Sequence, residues 1–337
     1  MPTPTTSLTS TALAAALGGA LLLSGGTAVA ATITLNGASQ FDENHAFTKT
    51  MIRFQELVDQ YYDGPEELEF ILHLNSELGL EKDYFAYMSQ GISVDYAVVA
   101  PSHMSTFSPM APLMDMPMLF RDLDHWNKVL DGDALQPIAD DVADKADVML
   151  IGYAGGGTRN VIVNRPIETL EEAKGLPIRV MGAPIQTKMF EAFTMAPTVI
   201  AYAEVYNAIQ TGVIDAAENE AAGIEQMKFY EVGPHIVKTE HAITVRPLCF
   251  SGKTFEGLPE DLQAAILRAG KEAGAYGREI ESTEDAQKLA QMEKDGLLTT
   301  HEFKDREQLL ELAGPVMEGY AEELGALEVY QAIQAVQ

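Results

Sequence analysis

The chain has 337 residues, enough for two domains or one large one. Its formal net charge is -28, from 50 acidic against 22 basic residues, which speaks against nucleic acid or an anionic membrane surface as a partner. A cleft lined by local arginines can still take an anion, because salt screens the distant carboxylates. The single cysteine, Cys249, excludes an intramolecular disulfide. Lying in the apolar run Val245 to Phe250, it reads as a small buried hydrophobe.

An apolar Ala/Leu run at 11–23 is followed by Ser24-Gly25-Gly26 and Ala28-Val29-Ala30, the small-residue cleavage pattern of a secretory signal peptide. Residues 1–30 are expected to be removed, leaving an exported protein that starts near Ala31, although the segment ahead of the run carries no Lys or Arg. The run falls short of the ~20 apolar residues that span a bilayer. Beyond it, β-rich runs alternate with helical stretches, which predicts an α/β fold. Strands are expected at Thr32 to Leu35, Leu68 to Leu74 and Val94 to Ala100, with helices at Asn44 to Tyr62 and Leu80 to Gln90 between them. Met104 to Phe120 holds five methionines and three prolines and reads as an irregular packed stretch. Val148 to Tyr153 reads as a strand running into the glycines at 155–157, where a turn is expected to let chain and ligand approach.

Further strands are expected at Asn160 to Val163, Ile178 to Met181, Val213 to Ala216 and Thr244 to Phe250. Helices are expected at Ile185 to Phe193, Tyr202 to Gln210 and Ala221 to Tyr230. Leu258 to about Lys294 is one long helical pattern that exceeds the usual helix length. It predicts a helix crossing between domains, with a bend near Gly270 or Gly274, and a last helix fills Asp305 to Glu323.

Catalytic constellations are sparse. The seven histidines show no His-x-x-x-His pair, there is no cysteine cluster at metal-ligand spacing, and no Gly-x-Ser-x-Gly elbow is present. Neither a catalytic base nor a nucleophile can be named, and no cofactor or metal is expected. What stands out is Arg159, Arg179 and Asn219, spaced by roughly twenty and forty residues. Both arginines lie on or beside strands in apolar contexts, and a buried guanidinium needs an anion. Its rigid fork of donors fits a carboxylate in bidentate fashion, so two forks converging with an amide would make a receptor for an organic acid. The alternative is that both arginines pair with the chain's own carboxylates. Asn219 follows an expected strand end, where α/β folds face a cleft, and could also cap the helix expected at 221–230.

The run Ala201-Tyr202-Ala203-Glu204-Val205-Tyr206, then Gln210-Thr211-Gly212-Val213-Ile214-Asp215, then Glu218-Asn219, resembles the signature of the extracytoplasmic solute receptors of tripartite ATP-independent periplasmic (TRAP) transporters, of the dicarboxylate-receptor-like type. Phe229-Tyr230-Glu231-Val232, Ser76-Glu77-Leu78-Gly79 with Gly91 and Asp95, and Leu258-Pro259-Glu260-Asp261-Leu262-Gln263 fit it as well, so the likeness covers essentially the whole mature chain. The resemblance implies two α/β lobes joined by crossover strands and a long hinge-spanning helix. Lobe I would hold residues 31–156 and 245–284, and lobe II residues 157–244 and 285–337. It implies a monomeric periplasmic protein that closes on an organic anion and hands it to a TRAP-type membrane permease. Arg179 would form the main bidentate pair with the ligand carboxylate, Arg159 would be a second cationic donor, and Asn219 would hydrogen-bond the same region. Tyr202 would lie against the ligand or be a buried helix-start aromatic. Asn36, Glu81 and His241 are further ligand candidates, Glu81 as an acceptor for ligand hydroxyls or a partner of its helix dipole, His241 otherwise as a structural histidine. Two departures concern the far end of the ligand: Glu220 stands where the family often has proline, and Ala100-Pro101-Ser102 where some relatives carry polar contacts. Because the lobe I candidates are acceptors or amides, a sugar acid or other hydroxy acid is favoured over a four-carbon dicarboxylate or keto acid. A ligand-sensing partner of a membrane receptor would use the same fold.

Overall fold

A computed structural model describes Met1 and residues 31–337, so the expected signal peptide lies outside the described residues apart from Met1. Strand β1 (Thr32–Ala38) pairs in parallel with β2 (Glu67–His73) and β3 (Tyr96–Val98). Helix α1 (Ala46–Tyr61) connects β1 to β2 and buries Phe47, Met51, Phe54, Leu57 and Val58, a stripe at helical spacing. Helix α2 (Glu81–Gln90) stops at Gly91, whose left-handed backbone (φ 66) closes the C-terminus. Residues 101–120 are irregular, with short 3-10 turns at Pro101–Met104 and Ala111–Asp115.

Two helices come next that the sequence reading missed, α3 (Leu123–Asp131) and α4 (Gln136–Ala146). Asp122 caps α3 by accepting from the His125 N–H, and Trp126, Val129, Leu130, Ile138 and Val142 face the core. Strand β4 (Val148–Val163) is a single 16-residue element where two strands and a turn were expected. The glycines do not make a turn towards a ligand. Gly155 and Gly156 take φ of 113 and 112 within the strand, and the Gly156 and Gly157 N–H groups donate to Thr244 Oγ1.

The second lobe contains α5 (Leu170–Ala173), β5 (Pro177–Val180), α6 (Pro184–Ala192), β6 (Ala196–Val199), α7 (Val205–Gln210), β7 (Ala216–Asn219) and α8 (Ala221–Gln226). The strand expected at 213–216 starts only at Ala216, because Gly212 (φ 72) ends a turn and Asp215 N–H still reaches back to Pro177 O. Asn219 is therefore the last residue of β7, and the helix after it is capped at Glu220 and ends at Gln226. The chain then runs through β8 (His235–Ser251), α9 (Gly252–Glu256), α10 (Glu260–Lys294), β9 (Thr299–Glu302), α11 (Arg306–Glu323) and α12 (Leu327–Ala335). The last helix returns to the first lobe's edge, where Gln334 donates to Leu119 O and the His125 ring meets Ile333 O.

The nine strands among the described residues form one sheet in the order β2-β1-β3-β8-β4-β7-β5-β6, with β9 added beside β8. The long strands β4 and β8 pair antiparallel along most of their length and carry the sheet from one lobe into the other, with parallel strands on either side. Helix α10 runs unbroken for 35 residues across this crossover, packing on α1 and β4 and reaching α8. Its glycines serve close contact: a Cβ at Gly270 would lie 2.7 Å from Ile151 O, and one at Gly274 2.6 Å from Tyr153 N.

Candidate functional site

Between the lobes lies a tight chamber of about 20 Å³. Its wall takes Gln40, Phe41, Phe47, Glu81, Ala100 and His103 from the first lobe, and Arg159, Arg179, Met181, Tyr202, Asn219 and Glu220 from the second, with Arg246 from β8. Most of them stand at or just past the C-terminal ends of parallel strands: Gln40 and Phe41 after β1, Ala100 and His103 after β3, Met181 after β5, Asn219 and Glu220 at the end of β7. That is the side on which α/β sheets present ligand sites. A wider outer space of about 370 Å³ shares Gln40, His103, Arg179 and Tyr202 with the chamber and adds Lys82, Ser105 and Val199.

Of the residues singled out in the sequence, the chamber brings together Arg159, Arg179, Asn219, Tyr202 and Glu81. It does not bring Asn36 or His241 to its wall. Asn36 sits within β1 and its backbone N–H donates to Asp95 Oδ2 at 2.7 Å, a contact that holds β1 to the β3 end. His241 stands behind Arg159, bonding Thr239 Oγ1 at 2.8 Å and Glu218 Oε2 at 3.3 Å. Burial holds its pKa below the ordinary histidine value against the pull of Glu218.

The two arginines differ sharply in their partners. Each nitrogen of Arg159 is engaged: Nε donates to Glu218 Oε2 at 2.5 Å, Nη1 to Glu220 Oε2 at 2.6 Å and Nη2 to Glu218 O at 2.9 Å. Burial alone would raise the Glu218 carboxyl, but the Arg159 charge and the His241 and Arg159 hydrogen bonds draw it down to about 2. Arg159 thus pairs with the chain's own carboxylates while still lining the chamber. Arg179 is only 3% exposed, yet among the described residues it donates from Nε alone, to Ile200 O at 2.9 Å. Burial pushes its pKa below the ordinary arginine value, the signature of a cation that lacks a full counter-charge. Its guanidinium lies 5.6 Å from the Tyr202 ring, close enough for a cation–π contact. The Tyr202 hydroxyl in turn accepts from Asn219 Nδ2 at 2.8 Å, while Asn219 Oδ1 accepts the Glu220 N–H.

Facing these from the first lobe, Glu81 is buried and accepts from Gln40 Nε2 at 2.9 Å and the Ala100 N–H at 2.5 Å. Burial pushes its carboxyl up to about 7, with Arg246 opposing. His103 is held neutral: burial first, then the charges of Arg179, Arg246 and Arg159, take it down to about 3. The sequence reading missed Gln40, Phe41, Phe47, His103, Met181 and Arg246 and took Glu220 only as a departure. Arg246 was detectable, since it sits in an apolar strand as Arg159 and Arg179 do. Among the described residues no cluster could hold a metal ion, and no helix is long and apolar enough to cross a membrane.

Behind the chamber, α10 grips the β4 glycines. Glu281 Oε1 accepts from Thr244 Oγ1 at 3.0 Å and the Gly157 N–H at 3.2 Å, and Asp285 takes the Thr158 and Ala221 N–H groups. Burial, with Glu220 adding to it, pushes Glu281 up from 4.5 to about 8. The folded chain therefore keeps this proton up to about pH 8, whereas the unfolded chain releases it near 4.5. Glu281 leaves stability intact below about pH 4.5 and erodes it as pH rises towards 8. Glu281→Gln, which mimics the protonated acid, is expected to gain on the wild type by on the order of a few kcal/mol between pH 5 and pH 8. Urea unfolding at both pH values checks this, and an equal difference at the two would contradict it.

Residues 38–323 match the family described as Bacterial extracellular solute-binding protein, family 7. A solute-binding protein of Sulfitobacter sp. (strain NAS-14.1) is 55% identical over 319 residues, covering 92% of this chain and 96% of that one. Among solved structures, a TRAP periplasmic solute binding protein from Sulfitobacter sp. NAS-14.1 with bound alpha-D-taluronate superposes with a TM-score of 0.87 at 56% identity, covering 89% of this chain and 97% of that one. One from Roseobacter denitrificans with bound beta-D-glucuronate superposes with a TM-score of 0.83 at 27% identity, covering 90% and 100%.

Proposed function

The chain belongs to family 7 of the bacterial extracellular solute-binding proteins, the TRAP receptors, and on that premise we propose that it captures a sugar acid and delivers it to a membrane permease of the TRAP type. The observation that carries this is Arg179: a buried guanidinium on a chamber wall whose two terminal nitrogens have no partner among the described residues. A ligand carboxylate supplies the missing counter-charge in bidentate geometry. Asn219 and Tyr202 flank that carboxylate, while Glu81, His103 and Gln40 face the hydroxylated remainder. Support for a sugar acid comes from this mixture of acceptors and neutral donors, and from the uronates bound by the two similar structures.

Capture works by closure of two lobes, residues 31–156 with 245–284 and residues 157–244 with 285–337, about the β4/β8 crossover and α10. Closing removes water, so each arginine–carboxylate pair strengthens. The protein acts outside the cytoplasm, as a receptor and not as a catalyst.

A thermal-shift screen of residues 31–337 against hexuronates, aldonates, four-carbon dicarboxylates and keto acids tests the proposal. At a hundredfold excess over Kd, the matching sugar acid should stabilise the fold by about 2.7 kcal/mol. Silence towards all sugar acids, with a clear shift from another acid class, would reject the sugar-acid assignment.

A further inference from the structure

The third arginine of the chamber has an incomplete set of partners. Arg246 is 3% exposed. Its Nη1 donates to Val245 O at 2.9 Å and reaches Asp115 Oδ1 only at 3.4 Å. Its Nε is buried with no partner, and Nη2 makes no hydrogen bond among the described residues. Asp115 is engaged elsewhere, with Oδ2 accepting from Ser102 Oγ at 2.7 Å. The guanidinium is held over the Phe47 ring at 5.4 Å, which fixes its plane without satisfying its donors. A buried cation left with free donors is costly unless a ligand completes it.

The charges around the chamber decide what kind of ligand atom that is. Glu218 and Glu220 both pair with Arg159 and Asp115 pairs with Arg246, all of them buried, which leaves Arg179 as the one chamber arginine without an ion pair among the described residues. A carboxylate on Arg179 adds one negative charge, beside a Glu81 that burial already keeps partly protonated near neutral pH. A second carboxylate would find no uncompensated cation. The free edge of Arg246 instead suits neutral oxygen acceptors, and its neighbours on the wall supply the complement: Glu81 accepts from hydroxyls, and neutral His103 can donate or accept.

We propose that Arg246, with Glu81 and His103 beside it, reads the hydroxyl-bearing end of the ligand, so that the receptor selects hydroxylated monocarboxylates over dicarboxylates of equal length. This rests on the sugar-acid capture proposed above.

Calorimetry on residues 31–337 tests it, using D-glucuronate, D-galacturonate and D-taluronate, their aldarates, and tetrahydropyran-2-carboxylate, which keeps the ring and carboxylate but has no hydroxyls. The wild type is expected to bind the best hexuronate at least roughly thirtyfold tighter than its aldarate or the bare ring acid, as loss of one or two buried hydrogen bonds implies. Arg246→Gln should weaken the hexuronate by roughly tenfold or more and leave the bare ring acid nearly unchanged. Arg246→Lys, which keeps the charge but not the fork, should lose the same selectivity. An equal loss for both ligands in either folded variant overturns the proposal. So does an aldarate that matches the hexuronate on the wild type, a comparison that needs no variant to fold. Failure of every hexuronate to bind the wild type, with the aldonates of the thermal-shift screen silent as well, rejects sugar-acid capture itself and the role of Arg246 with it, whereas the other two results leave capture standing.

Discussion

Arg179→Ala is expected to weaken ligand binding by roughly two to three orders of magnitude, several kcal/mol, because the captured carboxylate is left buried without its main counter-charge. The size follows from how little else is on offer. The charge of Arg159 is already matched by Glu218 and Glu220, and Arg246 approaches Asp115. Arg179→Lys should recover only part of the loss, since an ammonium is a point charge and cannot make the two parallel hydrogen bonds of a guanidinium. The ligand-free fold should tolerate the change to alanine, because the free protein holds Arg179 as an under-compensated buried cation. Calorimetry together with thermal melting separates the two effects. Near-normal affinity in a folded Arg179→Ala protein would remove Arg179 from its assigned role.

Gly152→Ala should cost about 3 kcal/mol or more of stability, a large effect for the addition of one methyl group. A Cβ at Gly152 would lie 2.0 Å from Gly270 O, and the atoms behind it are backbone of α10, which cannot swing aside as a side chain would. The matching contact from the other side, Gly270 on Ile151 O, shows that the two backbones meet at van der Waals range. Gly319→Ala in α11 is the control: nothing lies within 4 Å of its Cβ position, and alanine should raise stability by about 0.5–1 kcal/mol through helix propensity. Chemical unfolding of both variants decides the matter. Equal, small effects would mean that α10 is free to shift on β4.

Where local chemistry decides, the sequence was informative. Alternating apolar runs placed β1, β2, α1, α2 and α10 within a few residues, and strand context marked two of the chamber's three arginines, Arg159 and Arg179, while Arg246 went unread. What escaped reading depended on partners far along the chain. Whether Arg159 is free or paired turns on Glu218 and Glu220, about sixty residues away, which no spacing rule connects to it. The glycines at 155–157 look like a turn until Thr244 and Glu281 are known to accept their N–H groups and hold them inside β4. Gly270 and Gly274 read as a weak point in a helix, when their lack of a side chain is what lets α10 approach the sheet. Gln40, Phe41, Phe47 and His103 lie in ordinary-looking segments, and only the topology of the parallel strands brings them to one cavity.

The β4/β8 crossover also constrains the order in which the molecule can assemble. Ala97 pairs with Cys249 and Leu150 pairs with the same cysteine, so the first lobe's sheet stays open at its inner edge until residue 251 exists. A chain made from its N-terminus has no complete lobe to fold early, and its strand pairings span long separations that slow folding. Once β8 arrives, both halves of the sheet are completed by one strand, and folding of either half commits the other.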